Sequence, residues 1–201
     1  MNKKYNTLKF YNDNAEEYFE QTINGNLNVN YNYFLKYIPK NAYILDWGCG
    51  SGRDSKFFID NGYKIRAIDG SYKMCEIASK YINQHVDCIE FKDFDEENVY
   101  DAIWACATIL HIEEDRLPDI LFRMTKALKN EGIIYASFKK GTGTKIVDGK
   151  FYNNMTKEKF ENILSSIGLN YEIKEYFETV SSTKRPENCT WANFVIKFNK
   201  T

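Results

Sequence analysis

Ile44-Leu45-Asp46-Trp47-Gly48-Cys49-Gly50-Ser51-Gly52-Arg53 is the stretch on which the reading of this chain turns. Tyr43-Ile44-Leu45-Asp46 has the short apolar run of a buried strand and ends in an acid. Glycines then fall at alternate positions, 48, 50 and 52. Glycine takes positive φ and has no Cβ, so the backbone there can turn tightly and approach a ligand. The helix expected next, through Phe57, Phe58 and Ile59, aims its unpaired N–H groups at the same place, and Asn61-Gly62 stops it.

Working outward, the same alternation repeats. Tyr63 to Ile68 reads as a second strand ending at Asp69, followed by a helix from about Tyr72 to Tyr81. Cys88-Ile89-Glu90-Phe91 reads as a short third strand, and Asp101 to Cys106 as an apolar fourth. Arg116 to Leu128 reads as a helix, Asn130-Glu131-Gly132 as the turn after it, and Ile133 to Phe138 as the fifth strand. Strands alternating with amphipathic helices predict βαβ units, hence an α/β, doubly wound sheet. Upstream, 7–20 reads as a helix carrying Phe10, Tyr11, Tyr18 and Phe19, and 28–37 as another carrying Tyr33, Phe34 and Tyr37. Downstream, a helix at about 156–167 starts at the N-cap Thr156 and stops at Gly168. Leu169 to Phe177 and Trp191 to Phe198 follow as strands with no helix between them, which predicts an antiparallel hairpin added to a parallel sheet. The expected organisation is a single domain, 1–201. A helical lid occupies 1–40, a ligand-binding core 41–138, and a C-terminal helix and strand hairpin 139–201.

Two ligands suit a glycine loop with an acid at the end of the next strand: a dinucleotide or S-adenosylmethionine. Asp69 suits two adjacent ribose hydroxyls in either case. The dinucleotide fingerprint needs a small residue at position 53, where helix and strand pack, and this chain has Arg53. Asp46 is also ill-placed beside a pyrophosphate and well placed beside the ammonium of a methionine moiety. A tight turn with no ligand would explain the glycines but not the two acids.

The stretch ILDWGCGSGRDS…AIDGSYKMCEIA resembles the first two motifs of class I S-adenosylmethionine-dependent methyltransferases, over roughly residues 8–198. Small bacterial members near the ubiquinone/menaquinone and tellurite-resistance methyltransferase groups are the most similar. The resemblance implies a Rossmann-like, seven-stranded, mostly parallel sheet with an antiparallel C-terminal strand and helices on both faces. It implies S-adenosyl-L-methionine as cofactor and S-adenosyl-L-homocysteine as product. Asp46, Gly48, Cys49, Gly50 and Arg53 would line the methionine part. Asp69 would hold the ribose, with Gly70, Ser71 and Met74 beside it. Asp93 and Phe94 would flank the adenine. Cys106, Ala107, Thr108, Leu110 and His111 would sit by the methyl group. Tyr11, Asn14 and Tyr18 would fold over the cofactor as a lid. If the acceptor must lose a proton, His111 or Tyr11 would take it. The two rivals are a non-catalytic S-adenosylmethionine-binding module and a dinucleotide-dependent oxidoreductase.

Composition sets the remaining bounds. A formal net charge of −1 and a pI of about 6.2 lack the basic footprint of a nucleic-acid binder. The stretch after the fourth strand, Ala105-Cys106-Ala107-Thr108, lacks the Pro-Pro-aromatic motif of amino-methylating DNA enzymes. A small-molecule methyl acceptor is therefore expected, without nucleic acid. Five cysteines, an odd number with no C-x-x-C pair, argue against a disulfide framework or zinc cluster and point to a reducing cytoplasm. Cys106 reads as a buried small hydrophobe, not a nucleophile. No targeting segment and no run of about 18 apolar residues is visible, so no membrane insertion is expected; a monomer or weak homodimer is. Lys139–Asn154 and Ser181–Thr190, with Trp191 and Asn193, are the candidate substrate side.

Overall fold

The computed structural model describes residues 5–181 and 189–200. Strands β1 (Tyr43–Trp47), β2 (Lys64–Asp69), β3 (Val86–Cys88), β4 (Tyr100–Ala105) and β5 (Leu128–Lys139) run parallel. The hairpin β8 (Asn170–Val180) and β9 (Thr190–Asn199) completes the sheet, with β9 antiparallel to both β5 and β8. The order is β3-β2-β1-β4-β5-β9-β8, seven strands, as expected.

Apolar residues alternate between two cores, because successive side chains point to opposite faces. Ile44, Ala102, Trp104, Ile133 and Tyr135 face helices α3 (Asn28–Leu35), α4 (Arg53–Asp60) and α5 (Tyr72–Ile82). Leu45, Trp47, Ile103, Ala105, Ile134 and Phe138 face α6 (Leu117–Ala127) and α7 (Lys157–Ser166). A strand buried on both faces must be apolar throughout, which is why these strands read as continuous runs.

Four local expectations change. The helix over 7–20 divides into α1 (Thr7–Asp13) and α2 (Ala15–Thr22), because the Asn14 side chain donates to Phe10 O at 2.8 Å and competes with the helical ladder. The third strand stops at Cys88, and Phe91–Asp93 forms a 3-10 turn. Asn130-Glu131-Gly132 is an irregularity inside β5, not a turn before it; Glu131 has φ 61° there, and the register with β4 shifts. The stretch after β5, left as a loop by sequence, contains a second hairpin, β6 (Thr144–Val147) and β7 (Lys150–Asn153). Its turn, Asp148-Gly149, has φ 51° and 76°, the pair of positive values that an Asp-Gly hairpin turn uses.

No helix among the described residues is long and apolar enough to cross a membrane. No cluster of metal-ligating side chains occurs among them either.

Candidate functional site

The sheet reverses its winding between β1 and β4, and the carboxyl ends of both strands open there onto a cavity of about 930 Å³. Such switch points are where open α/β sheets hold ligands. The glycine loop forms the floor. Gly48, Gly50 and Gly52 have φ of 76°, 52° and 78°. A Cβ on Gly48 would lie 2.1 Å from Thr108 Oγ1, so only glycine lets β1 and β4 end this close together. Gly48 N and Cys49 N both donate to Ile68 O at 2.9 Å, which ties the loop to β2.

Asp69 stands at the end of β2 and on the cavity wall. Its Oδ2 accepts from Gly50 N at 3.0 Å and its Oδ1 from Ser71 N at 2.8 Å. A carboxylate has about four acceptor positions, and the backbone of Gly50, Gly70 and Ser71 engages about three of them, so capacity for a hydroxyl remains. Burial raises its pKa, and the backbone donors pull against that rise. Ser71, whose Oγ accepts from Met74 N, caps α5, so the helix does not need Asp69 as its N-cap.

Asp46 departs from the expected place. It is 2% exposed, lies under the loop and off the cavity wall, and accepts from Ser55 Oγ at 2.6 Å. Burial, with Asp54 nearby, lifts its pKa well above the usual carboxylate range. Asp54 goes the other way. Although burial opposes its charge, Arg53 donates to it at 2.6 and 3.0 Å, Tyr31 Oη at 2.6 Å and Trp104 Nε1 at 2.8 Å, and together they hold its pKa down. Arg53 lies on the cavity wall, between this carboxylate and Thr22 O.

The adenine side also differs. Because the 3-10 turn replaces the end of the expected strand, Phe91 lines the cavity and stacks on Trp47 with ring centroids 5.1 Å apart. Phe94 turns into the core at 2% exposure, Asp93 is exposed, and neither is on the wall. Ser71, Met74 and Leu110 are buried and off the wall as well. Cys49, Gly70, Cys106, Ala107 and His111 do line it. Burial pushes the Cys106 thiol up to about 12, so it stays protonated. Ala107 adopts φ 54°, costly for a residue with a Cβ, and its N–H is held by Ser137 Oγ at 2.8 Å.

The roof joins segments distant in sequence. Tyr11 and Tyr18, on α1 and α2, line the cavity with rings 5.0 Å apart, edge to face. His111 Nδ1 lies 2.6 Å from Phe151 O and Nε2 lies 2.9 Å from Tyr11 Oη. A carbonyl only accepts, so the proton sits on Nδ1 and the neutral ring's Nε2 accepts from the Tyr11 hydroxyl. The β6–β7 hairpin adds Lys150 and Tyr152; the Lys150 ammonium lies 3.6 Å from the centre of the Phe10 ring. Of the substrate-side expectations, Lys139, Lys150, Tyr152, Trp191 and Asn193 line the cavity, whereas residues 182–188 of the second stretch lie outside the described residues. Sequence reasoning missed Asn30 and Phe91, and it missed the hairpin that presents Lys150 and Tyr152 from within the Lys139–Asn154 stretch. For the hairpin a signal existed, since Asp148-Gly149 sits between Ile146-Val147 and Phe151-Tyr152.

Residues 44–132 match the family model described as a methyltransferase domain. The chain is 26% identical over 167 residues to an uncharacterized methyltransferase of Staphylococcus carnosus, covering 78% of this chain and 79% of that protein. It is 30% identical over 102 residues to the N-terminal Xaa-Pro-Lys N-methyltransferase 1 of Xenopus tropicalis, covering 47% and 46%. Its fold is similar to that of Burkholderia thailandensis 1,6-didemethyltoxoflavin-N1-methyltransferase, solved with 1,6-didemethyltoxoflavin and S-adenosylhomocysteine. The TM-score is 0.75 at 14% identity, over 96% of this chain and 85% of the other. It is similar also to the DhpI–SAH complex, with a TM-score of 0.72 at 14% identity, over 97% and 96%.

Proposed function

We propose that this chain is a class I S-adenosylmethionine-dependent methyltransferase and that it methylates a small-molecule acceptor held in the same cavity as the cofactor. The observation that carries this is the cavity itself. Its volume of about 930 Å³ lies near the top of the range for small-molecule sites, about 300–1,000 Å³, which leaves room for a cofactor and a compact second ligand. It lies between the sheet edge, α1–α2 and the β6–β7 hairpin, a pocket and not an open track for a polymer.

The residues present fit the cofactor. Asp69 keeps acceptor capacity for a ribose hydroxyl, Phe91 offers an apolar face to the adenine, and the glycine loop leaves space where any Cβ would intrude. When bound, the cofactor supplies an electrophilic methyl group on sulfur, so transfer is an in-line displacement. The protein's part is then to position the two ligands and exclude water, which is worth up to about 7–11 kcal/mol of barrier in favourable cases. α1 and α2 act as the lid. Where the acceptor must lose a proton, Tyr11 takes it and passes its own to His111 Nε2, the ring nitrogen that Phe151 O leaves unprotonated.

Calorimetry tests the cofactor directly: S-adenosylmethionine and S-adenosylhomocysteine should bind and NAD should not. For the acceptor, the protein is incubated with methyl-labelled cofactor and cell extract, and label is followed after separating small molecules from polymers. Label in the small-molecule fraction is expected. Label confined to protein or nucleic acid would overturn the small-molecule reading.

A further inference from the structure

With Asp46 buried under the glycine loop, the cationic ammonium of the cofactor needs another partner. Two carboxylates, Asp54 and Asp69, stand on the wall beside the loop, against one guanidinium, Arg53, while burial keeps Asp46 beneath it protonated. The region therefore favours a positive group, but Asp54 on the wall is already occupied by Arg53, Tyr31 and Trp104.

One side-chain acceptor on the same wall is different. Asn30, on α3, is 3% exposed and lines the cavity. Its Nδ2 donates to Tyr135 Oη at 2.7 Å and to Asn193 Oδ1 at 3.0 Å. Among the described residues no donor reaches its Oδ1. The orientation is forced. Asn193 Nδ2 donates to Phe177 O at 3.1 Å and Trp191 O at 3.2 Å, and main-chain carbonyls only accept. Asn193 therefore turns its oxygen toward Tyr135 and Asn30, and Tyr135 Oη donates to that oxygen at 2.8 Å. Asn30 must meet it with nitrogen, which leaves its own oxygen over. Among the described residues, Trp47 Nε1 is the only side-chain polar atom sealed from both partner and open space, so Asn30 Oδ1 opens onto the cavity. A carboxamide oxygen buried this deeply is unfavourable unless something donates to it. The next residue on α3, Tyr31, bonds to ionised Asp54, which adds negative potential beside it.

We propose that Asn30 Oδ1 is the acceptor for the α-ammonium of the bound cofactor, held in register by the Asn193–Tyr135 network. The assignment rests on the cofactor reading above. It is tested by calorimetry with three probes. These are S-adenosylhomocysteine, its deaminated analogue, which keeps the carboxylate, and 5′-methylthioadenosine, which lacks the whole amino-acid end. The wild type should bind S-adenosylhomocysteine about tenfold to a hundredfold more tightly than the deaminated analogue. In Asn30→Ala that ratio should fall close to one, while affinity for 5′-methylthioadenosine is unchanged. A preserved ratio in the variant overturns the role of Asn30 and leaves the cofactor reading standing. Failure of the wild type to bind any of the three overturns the cofactor reading itself. If Asn30→Ala does not fold, the carboxamide ¹³C resonance of Asn30 in the wild type replaces it. That resonance should move with S-adenosylhomocysteine and not with the deaminated analogue; equal movement with both overturns the proposal.

Discussion

The floor and the roof of the cavity are built in opposite ways. The floor joins two short stretches, 46–54 and 68–71, through backbone bonds such as Gly48 N and Cys49 N to Ile68 O, and it rests on buried side chains. The roof is α1, α2 and the β6–β7 hairpin; no residue of α1 is buried, whereas all four residues of β7 are. It is held by contacts between segments 100 or more residues apart: Tyr11 with His111, and Phe151 N with Thr7 Oγ1. Elements with few buried contacts open at lower free energy than the core. The floor is therefore a preformed recognition surface, and α1 is the part of the roof that can admit a ligand.

Four substitutions test that contrast, given in decreasing order of expected effect. Gly48→Ala attacks the floor. It meets Thr108 Oγ1 at 2.1 Å and a left-handed φ of 76°, so left-handed strain and overpacking together should cost about 2–5 kcal/mol. A lower denaturation midpoint with cofactor binding lost is expected; an unchanged midpoint would mean the loop yields freely and the floor is not rigid. Asp69→Ala removes a recognition group from the same floor. Affinity for S-adenosylhomocysteine should fall about tenfold to a hundredfold. Because Ser71 caps α5, melting should move little; loss of stability with unchanged affinity would remove Asp69 from the site.

Tyr11→Phe tests the roof. One neutral hydrogen bond is worth about 0.5–1.5 kcal/mol, so a loss of about twofold to tenfold in cofactor affinity is expected, without change in global stability. Hydrogen exchange should quicken over residues 7–22 and not over the glycine loop. Equal quickening in both would show that floor and roof open as one unit.

The smallest effect concerns pH. Burial raises the pKa of Asp46 in the folded state, so the fold binds a proton there that the unfolded chain has released. The stabilisation is complete below the unfolded value of about 4 and is lost as pH rises toward the raised folded value. In Asp46→Asn the decline of stability across that interval should be shallower than in the wild type. Parallel pH profiles would show that Asp46 is ionised in its buried place.

The sequence revealed the floor far better than the roof. Asp69 was legible because it ends an apolar run directly before Gly70-Ser71, and the glycine turn because alternate glycines after a strand have few other uses. The β6–β7 hairpin was passed over because four-residue strands carry little periodicity, although Asp148-Gly149 marked its turn. Phe91 and Phe94 changed places, because the chain leaves β3 at Cys88 and a 3-10 turn rotates every later side chain. Asp46 was identified as part of the site, but its depth under the loop depends on Ser55 and Asp54 from the following helix.

By itself, then, the sequence determined what is local: the strand–glycine–helix unit, the alternation that makes a doubly wound sheet, and an acid at the end of β2. These follow from backbone preference and from the period of apolar residues, which neighbouring positions already encode. Tertiary structure alone decided which atoms are left over. The ring proton of His111 is placed by Phe151, and the oxygen of Asn30 is directed by a chain of bonds ending on carbonyls of β8 and β9. Such assignments depend on pairing donors with acceptors across segments as much as 163 residues apart, and that pairing exists only once the chain has closed on itself.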